Sequence, residues 1–350
     1  MALWLNRAGS RGQHEDRFLE ESRIFLTWDG VRRDLSVARS KAEVAEIVRE
    51  IYPDAPKMRV AQNTGQMWSF VGRMRPGDWV ALPSKHGPVI HIGEIIGEYE
   101  YNAAAENPYY HSRRVRWLQR EIPKSHFDGD ILASLGAFST ICQIKRNDAE
   151  TRVRAMADHN WRASPQPAMV PTPGVGDSSD ESGDEDVIDL ASLGREQIAA
   201  HILAKYKGHP LAQLVQVVLE AQGYTVYRSP EGPDHGVDLL ASSDTLGFGS
   251  PRICVQVKSQ ESPLDRPTLD QLIGTMANVG ADRGLLVCWG GFKSSIIKEK
   301  ARMFFKVRLW DRDDLLDQIF ENYDRLSESM HAELPLQRVW ALAAPADEDA

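Results

Sequence analysis

The segment ASPQPAMVPTPGVGDSSDESGDEDV, residues 163–187, divides the 350-residue chain into two parts. It is rich in Pro, Gly, Ser and acidic residues and contains no aromatic residue. Such a stretch cannot bury enough apolar surface to offset the entropy that ordering would cost. The pattern predicts a first domain, an acidic linker, a second domain and a C-terminal tail, at residues 1–160, 161–193, 194–335 and 336–350.

The net charge of −9 argues only weakly against a nucleic-acid partner, because the acidity is unevenly spread. Residues 164–193 hold seven acidic residues and no basic one, whereas residues 1–163 hold 24 basic and 21 acidic residues. An enzyme that cleaves phosphodiesters with a metal ion also tolerates local acidity, since carboxylates bind the cation. The charge pattern therefore leaves both DNA binding and metal-dependent hydrolysis open.

Several features of the sequence predict a cytoplasmic protein. No run of 18 apolar residues is present, so we expect no membrane span. The opening MALWLNRAGSRGQHED has charges where a secretion signal would need its apolar stretch. Three widely spaced cysteines, at 142, 254 and 288, have no metal-binding spacing and cannot all pair, which fits a reducing compartment.

The first domain combines helical and strand patterns. A strand over ALWLNRA is followed by helices around SKAEVAEIVREIY and AQNTGQMWSFVGRM, the first of which has apolar residues at helical spacing. Strand signals then follow in PGDWVALPS, PVIHIGEIIGEYEY and HSRRVRWLQ. Several strands with two helices predict a small, curved β-barrel with the helices outside.

The second domain has a different rhythm. Helix LAQLVQVVLEAQ begins at Pro210 and ends before Gly223, and strands YTVYR, VDLLAS and RICVQVK follow. Helix LDQLIGTMANVG, the continuously apolar strand GLLVCWG, helix SSIIKEKARMFF, strand KVRLW and helix DDLLDQIFENY complete it. This order predicts an α/β domain with a mixed central sheet flanked by helices, and so an α+β chain of two domains.

The strand RICVQVK ends in an amide and a cation on one face. Because side chains alternate across a strand, Gln256 and Lys258 share a face with Cys254, which is small enough to be simply buried there. Asp238, in the preceding strand, can converge on the same face. A carboxylate and an amide oxygen are ligands for Mg²⁺, and a lysine can orient water or neutralise charge on a phosphate. The pattern therefore predicts a phosphodiester-cleaving site, although a buried ion pair of Asp238 with Lys258 is the plainer alternative.

These residues resemble the PD-(D/E)xK nuclease superfamily, and specifically the Mrr-type restriction endonucleases in which Gln replaces the middle acid. Gly-Val-Asp238 and Gln256-Val-Lys258 carry the resemblance, within a frame that covers about residues 205–320. It implies that Asp238, Gln256 and Lys258 are catalytic, and that Asp238 and Gln256 hold Mg²⁺ or Mn²⁺. Asp234 is either a further ligand or a turn former before Gly236.

One position departs from that family. The family commonly has an acid in the first helix, two residues before an apolar pair such as Leu214-Val215, and this chain has Ala212 there. Glu220 lies in the same helix but on its polar face, as an exposed acid would. The departure leaves open a domain that keeps the nuclease fold and only docks DNA.

The first domain, over about residues 1–157, resembles the EVE branch of the PUA-like fold. ALWLNRAG, GQMWSFV before RPGDWVALPSK, and IGEIIGEYEY before HSRRVRWL carry the resemblance. It implies a pocket for a flipped, modified base, which needs aromatic faces for stacking and amides or hydroxyls for the base edge. The candidate pocket residues are Trp4, Asn63, Trp68, Ser84 and Tyr101.

Together the two resemblances predict a modification-dependent, Mrr-like restriction endonuclease. Its partner would be double-stranded DNA with modified bases, and cutting both strands implies a homodimer. Arg114, Arg116, Lys293 and Lys298 are candidate contacts to the DNA backbone, although solvated faces suit most such cations equally well. The alternatives are a non-catalytic DNA-binding module and a nuclease acting on RNA or repair intermediates.

Overall fold

The computed structural model describes residues 1–163, 189–230 and 236–340, which form two compact units. The first is built mainly from residues before Gly194, and the second mainly from Gly194–Trp340. Most of the predicted linker, Asp234 and the end of the predicted tail lie outside the described residues. No helix among the residues described is both long and apolar enough to cross a bilayer.

The first unit contains six strands and five α-helices within its described residues. In chain order they are β1 (Leu3–Asn6), α1 (Glu15–Glu20), β2 (Arg23–Leu26), α2 (Lys41–Ile51), α3 (Lys57–Trp68), β3 (Trp79–Pro83), β4 (Val89–Tyr101), β5 (His111–Pro123), α4 (Gly129–Leu135), β6 (Ile141–Gln143) and α5 (Ala149–Asp158). A π-helical turn, Ser69–Arg73, follows α3 directly.

The strands of the first unit form one sheet in the order β2-β5-β4-β3-β1-β6. The four predicted strands and both predicted helices are present in this unit. β1 pairs parallel with β3 and antiparallel with β6, which joins the two ends of the unit's sequence. Within the described ranges no pairing of β2 with β6 closes the sheet, so the barrel stays a prediction.

A buried arginine ties this sheet to the π-helical turn. Arg113 is fully buried, and its guanidinium donates hydrogen bonds to the carbonyl oxygens of Phe70 (2.7 Å), Val71 (3.0 Å) and Gly97 (3.3 Å). Burial lowers the pKa of Arg113 to about 10, which still leaves it charged at neutral pH. The bonds to Phe70 and Val71 satisfy carbonyls at the end of the helical turn, and the bond to Gly97 anchors the arginine to β4.

The second unit contains five strands and six α-helices within its described residues. They are α6 (Leu190–Tyr206), α7 (Pro210–Ala221), β7 (Thr225–Arg228), β8 (Leu239–Ser242), β9 (Ile253–Lys258), α8 (Arg266–Asn278), β10 (Arg283–Cys288), α9 (Ser294–Ile297), β11 (Val307–Trp310), α10 (Arg312–Asn322) and α11 (Glu328–Glu333).

Its sheet has the order β11-β10-β9-β8-β7 and is mixed, as predicted. β9, β10 and β11 run parallel, whereas β7, β8 and β9 pair antiparallel. Apolar cores lie on both faces: Val255 packs in the core with α7 and α10, and Cys254 packs in the core with α8. The alternation read from RICVQVK therefore holds for this central strand.

The helix predicted over SSIIKEKARMFF is much shorter in the structure, where α9 ends at Ile297. The next five residues, KEKAR, offer no apolar side chain larger than alanine for a buried helical face. The chain continues in turns to Lys306, and Phe305 is largely exposed.

Asp311 caps the start of α10 at a cost in electrostatic energy. Its carboxylate accepts hydrogen bonds from the backbone N–H of Asp313 (2.8 Å) and of Asp314 (3.0 Å). Burial, with the nearby charge of Asp314, raises the pKa of Asp311 from 3.8 to about 6. The folded protein thus binds this proton more tightly than the unfolded chain, so the free energy of unfolding falls as the pH rises through that interval.

We expect Asp311→Asn to be more stable than the wild type at pH 7 and similar to it at pH 4. Asparagine is an equally good N-cap but carries no buried charge, and the gain at pH 7 is on the order of 1–3 kcal/mol. Urea unfolding at both pH values measures it. Glu328→Gln removes one exposed negative charge from the same unit and is the control. Lower stability of Asp311→Asn at pH 7 would contradict the expectation.

Candidate active site

Asp238 is held at the start of β8 by hydrogen bonds to both neighbouring segments. Its backbone N–H donates to the carbonyl of Val255 (3.1 Å), and its carbonyl accepts from the N–H of Ser229 (3.0 Å). Its carboxylate oxygen Oδ2 accepts from the N–H of Val257 (2.7 Å). The carboxylate therefore lies against the Gln-Val-Lys end of β9, as predicted from the sequence.

Asp238 and Lys258 line one open cleft of about 320 Å³. Its other lining residues are Gly208, His209, Ala212, Val257, Ser259 and Gln260. Lys258 is partly exposed and forms no ion pair with any residue in the described ranges, so the alternative of a buried Asp238–Lys258 pair does not describe the site. A carboxylate and an unpaired cation thus face a space that is open to solvent.

Gln256 is buried and is not among the residues that line the cleft. Its amide packs close to Gly236: a Cβ added to that glycine would lie only 3.5 Å from Nε2 of Gln256. Gly236 also has a positive φ of 85°, which favours glycine. Its Oε1 has no hydrogen-bond partner among the residues that the structure describes. A buried amide oxygen without a partner is costly, and a cation or a water molecule would satisfy it.

The donor atoms here are oxygens, which suits Mg²⁺ or Mn²⁺ rather than a softer metal. The described residues contain no cluster of three His, Cys, Asp or Glu side chains that could enclose an ion. Mg²⁺ commonly binds through one or two carboxylates and keeps several waters, so the Asp238 carboxylate in the open cleft suits it. Asp234, the other predicted ligand, lies outside the described residues.

Burial and the nearby charge of Asp238 raise the pKa of the Cys254 thiol to about 11. The thiol therefore stays protonated at neutral pH and cannot act as a nucleophile. Of the two ionisable side chains that share this face of β9, Lys258 is therefore the one suited to chemistry.

Three cleft residues, His209, Ser259 and Gln260, were not anticipated from the sequence. The turn between α6 and α7 reaches the segment after β9, because the N–H of Gly208 donates to Oγ of Ser259 (2.9 Å). The ammonium of Lys207 also lies 2.6 Å from a carboxylate oxygen of Glu261. The only local signal was His209 directly before Pro210 at a helix start, and it gives no hint of this long-range contact.

Ala212 stands in the cleft wall, one turn into α7, where the resembled family commonly has an acid. It lines the same cleft as Asp238 and Lys258. The cleft therefore has a methyl group at the position where the resembled family commonly has a carboxylate. Glu220, the alternative acid, is exposed and accepts a hydrogen bond from Gln216 instead.

We expect Ala212→Glu to raise the affinity of the site for Mn²⁺ by about tenfold, because a second carboxylate adds charge and a ligand oxygen. Isothermal titration calorimetry with Mn²⁺ measures it. Gln213→Glu adds the same charge at the neighbouring, exposed position of α7 and is the matched control. Equal effects of the two variants would show that only net charge matters and that Ala212 is not part of the site.

The five predicted base-pocket residues lie in different surroundings in the first unit. Trp4 is buried in its main core, with Nε1 3.0 Å from the Asp78 carboxylate, and Trp68 packs against the same core. Asn63 is buried on α3. Ser84 Oγ donates to the buried Glu15 (2.7 Å). Tyr101 is the last residue of β4, and its hydroxyl donates to the carbonyl of Arg32. A shared pocket formed by these residues stays a prediction.

The predicted backbone-contact residues are exposed, but the arginines already have acidic partners. Arg114 donates to Glu100 (3.0 Å) and Arg116 to Glu94. Lys293 lies just before α9, and Lys298 directly follows it; both are exposed. Their contact with DNA stays a prediction, and the arginines would have to exchange a carboxylate for a phosphate.

Comparison with known proteins supports the assignment of the second unit. Residues 203–319 match the Mrr catalytic family, described as restriction endonuclease, and residues 4–135 match a domain of unknown function (DUF8426). Residues 203–319 are therefore a catalytic domain of restriction-endonuclease type, which confirms the resemblance read from the sequence. No curated protein matches the chain. The EVE-like resemblance of the first domain stays a prediction.

Four chains of solved structures match this protein, among them two that are each 12% identical to it in sequence. The DNA modification-dependent restriction endonuclease AspBHI matches with a TM-score of 0.33, over 81% of this chain and 74% of its own. The MspJI restriction endonuclease in complex with a 27-mer oligonucleotide matches with a TM-score of 0.31, over 90% and 73%. Scores this low carry no conclusion about this chain.

Proposed function

We propose that this protein is a DNA endonuclease that hydrolyses phosphodiesters with a divalent cation and acts on DNA carrying modified bases. The carrying observation is the Asp238 carboxylate, fixed on the backbone of β9 in one open cleft with Lys258, which has no ion-pair partner among the described residues. The cleft lies within the region that matches the restriction-endonuclease family.

The side chains have separate roles in this proposal. Asp238 holds the cation, and its hydrogen bond from the Val257 N–H keeps the carboxylate oriented. The oxygen of Gln256 supplies a neutral ligand. Lys258 donates to a non-bridging phosphate oxygen and offsets the charge that builds up there during attack by water. When bound, the cation polarises the phosphate and makes its bound water more acidic.

The first unit is the proposed reader of the modified base. The resemblance of its sequence to EVE-type modules supports this role, as do its many aromatic side chains, which suit the stacking of a flipped base. A single cleft of this kind cuts one strand, so double-strand cleavage requires two copies of the chain on the DNA. We therefore propose a homodimer on the substrate.

Cleavage of matched DNA duplexes tests the proposal. The purified protein is incubated with Mg²⁺ and one of three duplexes, containing unmodified cytosine, 5-methylcytosine or glucosyl-hydroxymethylcytosine, with EDTA as the control. Cleavage of a modified duplex alone, abolished by EDTA, is the expected result. Cleavage of all three would keep the nuclease and remove the reader role. EDTA-resistant cleavage would remove the metal.

A non-catalytic DNA-binding module is the second candidate, and Ala212 in the cleft wall favours it. Calorimetric titration of the protein with Mn²⁺ separates the two functions. Binding that is lost in Asp238→Asn supports the nuclease. Absence of binding, together with intact affinity for duplex DNA, supports the docking module.

A further inference from the structure

A second concave surface, the α2–α3 groove, lies between helices α2 and α3 of the first unit, with a volume of about 930 Å³. The residues that line it include Lys41 and Arg49 of α2, and Tyr52, which follows the last residue of α2. Lys57, the first residue of α3, lines it as well. It is far larger than a single phosphate group. The sequence had indicated only two amphipathic helices here.

The groove follows from the way the two helices pack. Helix α2 buries Val44, Ile47 and Val48 in the main core, which turns its alanines toward α3. The facing positions, Ala45 and Ala61, carry small side chains, so the helices leave an open channel between them. The floor therefore consists mostly of methyl groups.

The charge of the groove is of one sign. Lys41, Arg49 and Lys57 line it, and none of its lining residues is acidic. In the part of the chain that the structure describes, these three cations have no ion-pair partner. Glu50, the acid nearest in sequence to Arg49, pairs with Arg33 instead. Three unpaired cations around one channel attract a polyanion.

We infer that the α2–α3 groove binds the sugar–phosphate backbone of DNA. The three cations match phosphates, and the methyl-lined floor suits the apolar faces of the sugars. The floor has little to read a base edge with, since the hydroxyl of Thr64 donates to the Val60 carbonyl (2.6 Å). The groove would therefore hold DNA without regard to sequence. The inference rests on the proposed function, because it takes DNA as the partner.

Neutralising the groove tests the inference. Lys41→Gln/Arg49→Gln/Lys57→Gln is compared with a control triple, Arg11→Gln/Arg146→Gln/Arg162→Gln, which removes the same charge from exposed sites outside the groove. Binding of the full-length protein to a fluorescent 25-base-pair unmodified duplex is followed by anisotropy in EDTA, over a series of salt concentrations.

We expect the groove triple to bind more than about tenfold more weakly, with a salt dependence lower by two to three released counterions, since each phosphate contact contributes about one. The control triple should stay within about threefold of the wild type. An unchanged groove triple, or equal losses in both triples, overturns the inference. Absence of wild-type binding to this unmodified duplex also overturns the inference. The proposed function is decided separately, by the cleavage of modified duplexes described above.

Discussion

Asp238→Asn is expected to lower DNA cleavage by at least about a thousandfold while leaving affinity for DNA within about threefold. The amide keeps the size of the carboxylate, and its oxygen can still accept the hydrogen bond from the Val257 N–H. Only the negative charge that holds the cation is lost. The variant therefore separates the chemistry from the fold.

Single-turnover cleavage with excess protein measures the effect, and thermal unfolding confirms that the variant is folded. Asp244→Asn is the matched control: this carboxylate lies at the other end of the same hairpin and also accepts a backbone N–H, from Gly249 (2.8 Å). It lies outside the cleft. Cleavage by a folded Asp238→Asn at near wild-type rate would refute the catalytic assignment.

The sequence predicted the position of Asp238 against β9 because that information is local. Alternation along β9 gave the faces, and a hairpin from β8 brought Asp238 to its partner strand. Gln256 was expected in the same cleft, but alternation says nothing about depth. The structure places it in the interior near Gly236, on the sheet face that α8 covers.

Contacts between segments far apart in sequence were the ones missed. His209 reaches the cleft because a turn between two helices bonds to Ser259, fifty residues further on. Likewise, a helical stripe predicts which face of α2 is buried but not which cations of α2 and α3 become neighbours. In the first unit, local patterns found β1, β3, β4 and β5 but missed the short strands β2 and β6. The pairing of β1 with both β3 and β6 depends on closure over most of the domain.

The difference between local patterns and contacts with other strands also explains why the ion pairs of the two exposed arginines on β5 were not predicted. Alternation correctly separates Arg114 and Arg116 from the buried side of the strand. It does not reveal that β4, the neighbouring strand, presents Glu100 and Glu94 to them. An exposed basic residue on a strand therefore indicates a phosphate contact only when its cross-strand neighbours are known.

Lys258→Met is expected to lower the single-turnover cleavage rate by at least about a hundredfold, the usual scale for removing one group that stabilises charge in the transition state. Methionine keeps the packing of the side-chain stem on the cleft wall and removes the ammonium group. Affinity for DNA should change little, because one cation among many contributes about one counterion.

Lys258→Arg distinguishes a positioned donor from a general positive charge. If only the charge mattered, arginine would restore the rate; because its planar fork cannot place one N–H where the lysine Nζ stands, we expect it to recover less than about a tenth. Lys306→Met, at an exposed site of the same unit, should cleave like the wild type. Full activity of Lys258→Met would mean that the cleft hydrolyses DNA without this cation, and would leave Asp238 as the proposed catalytic group.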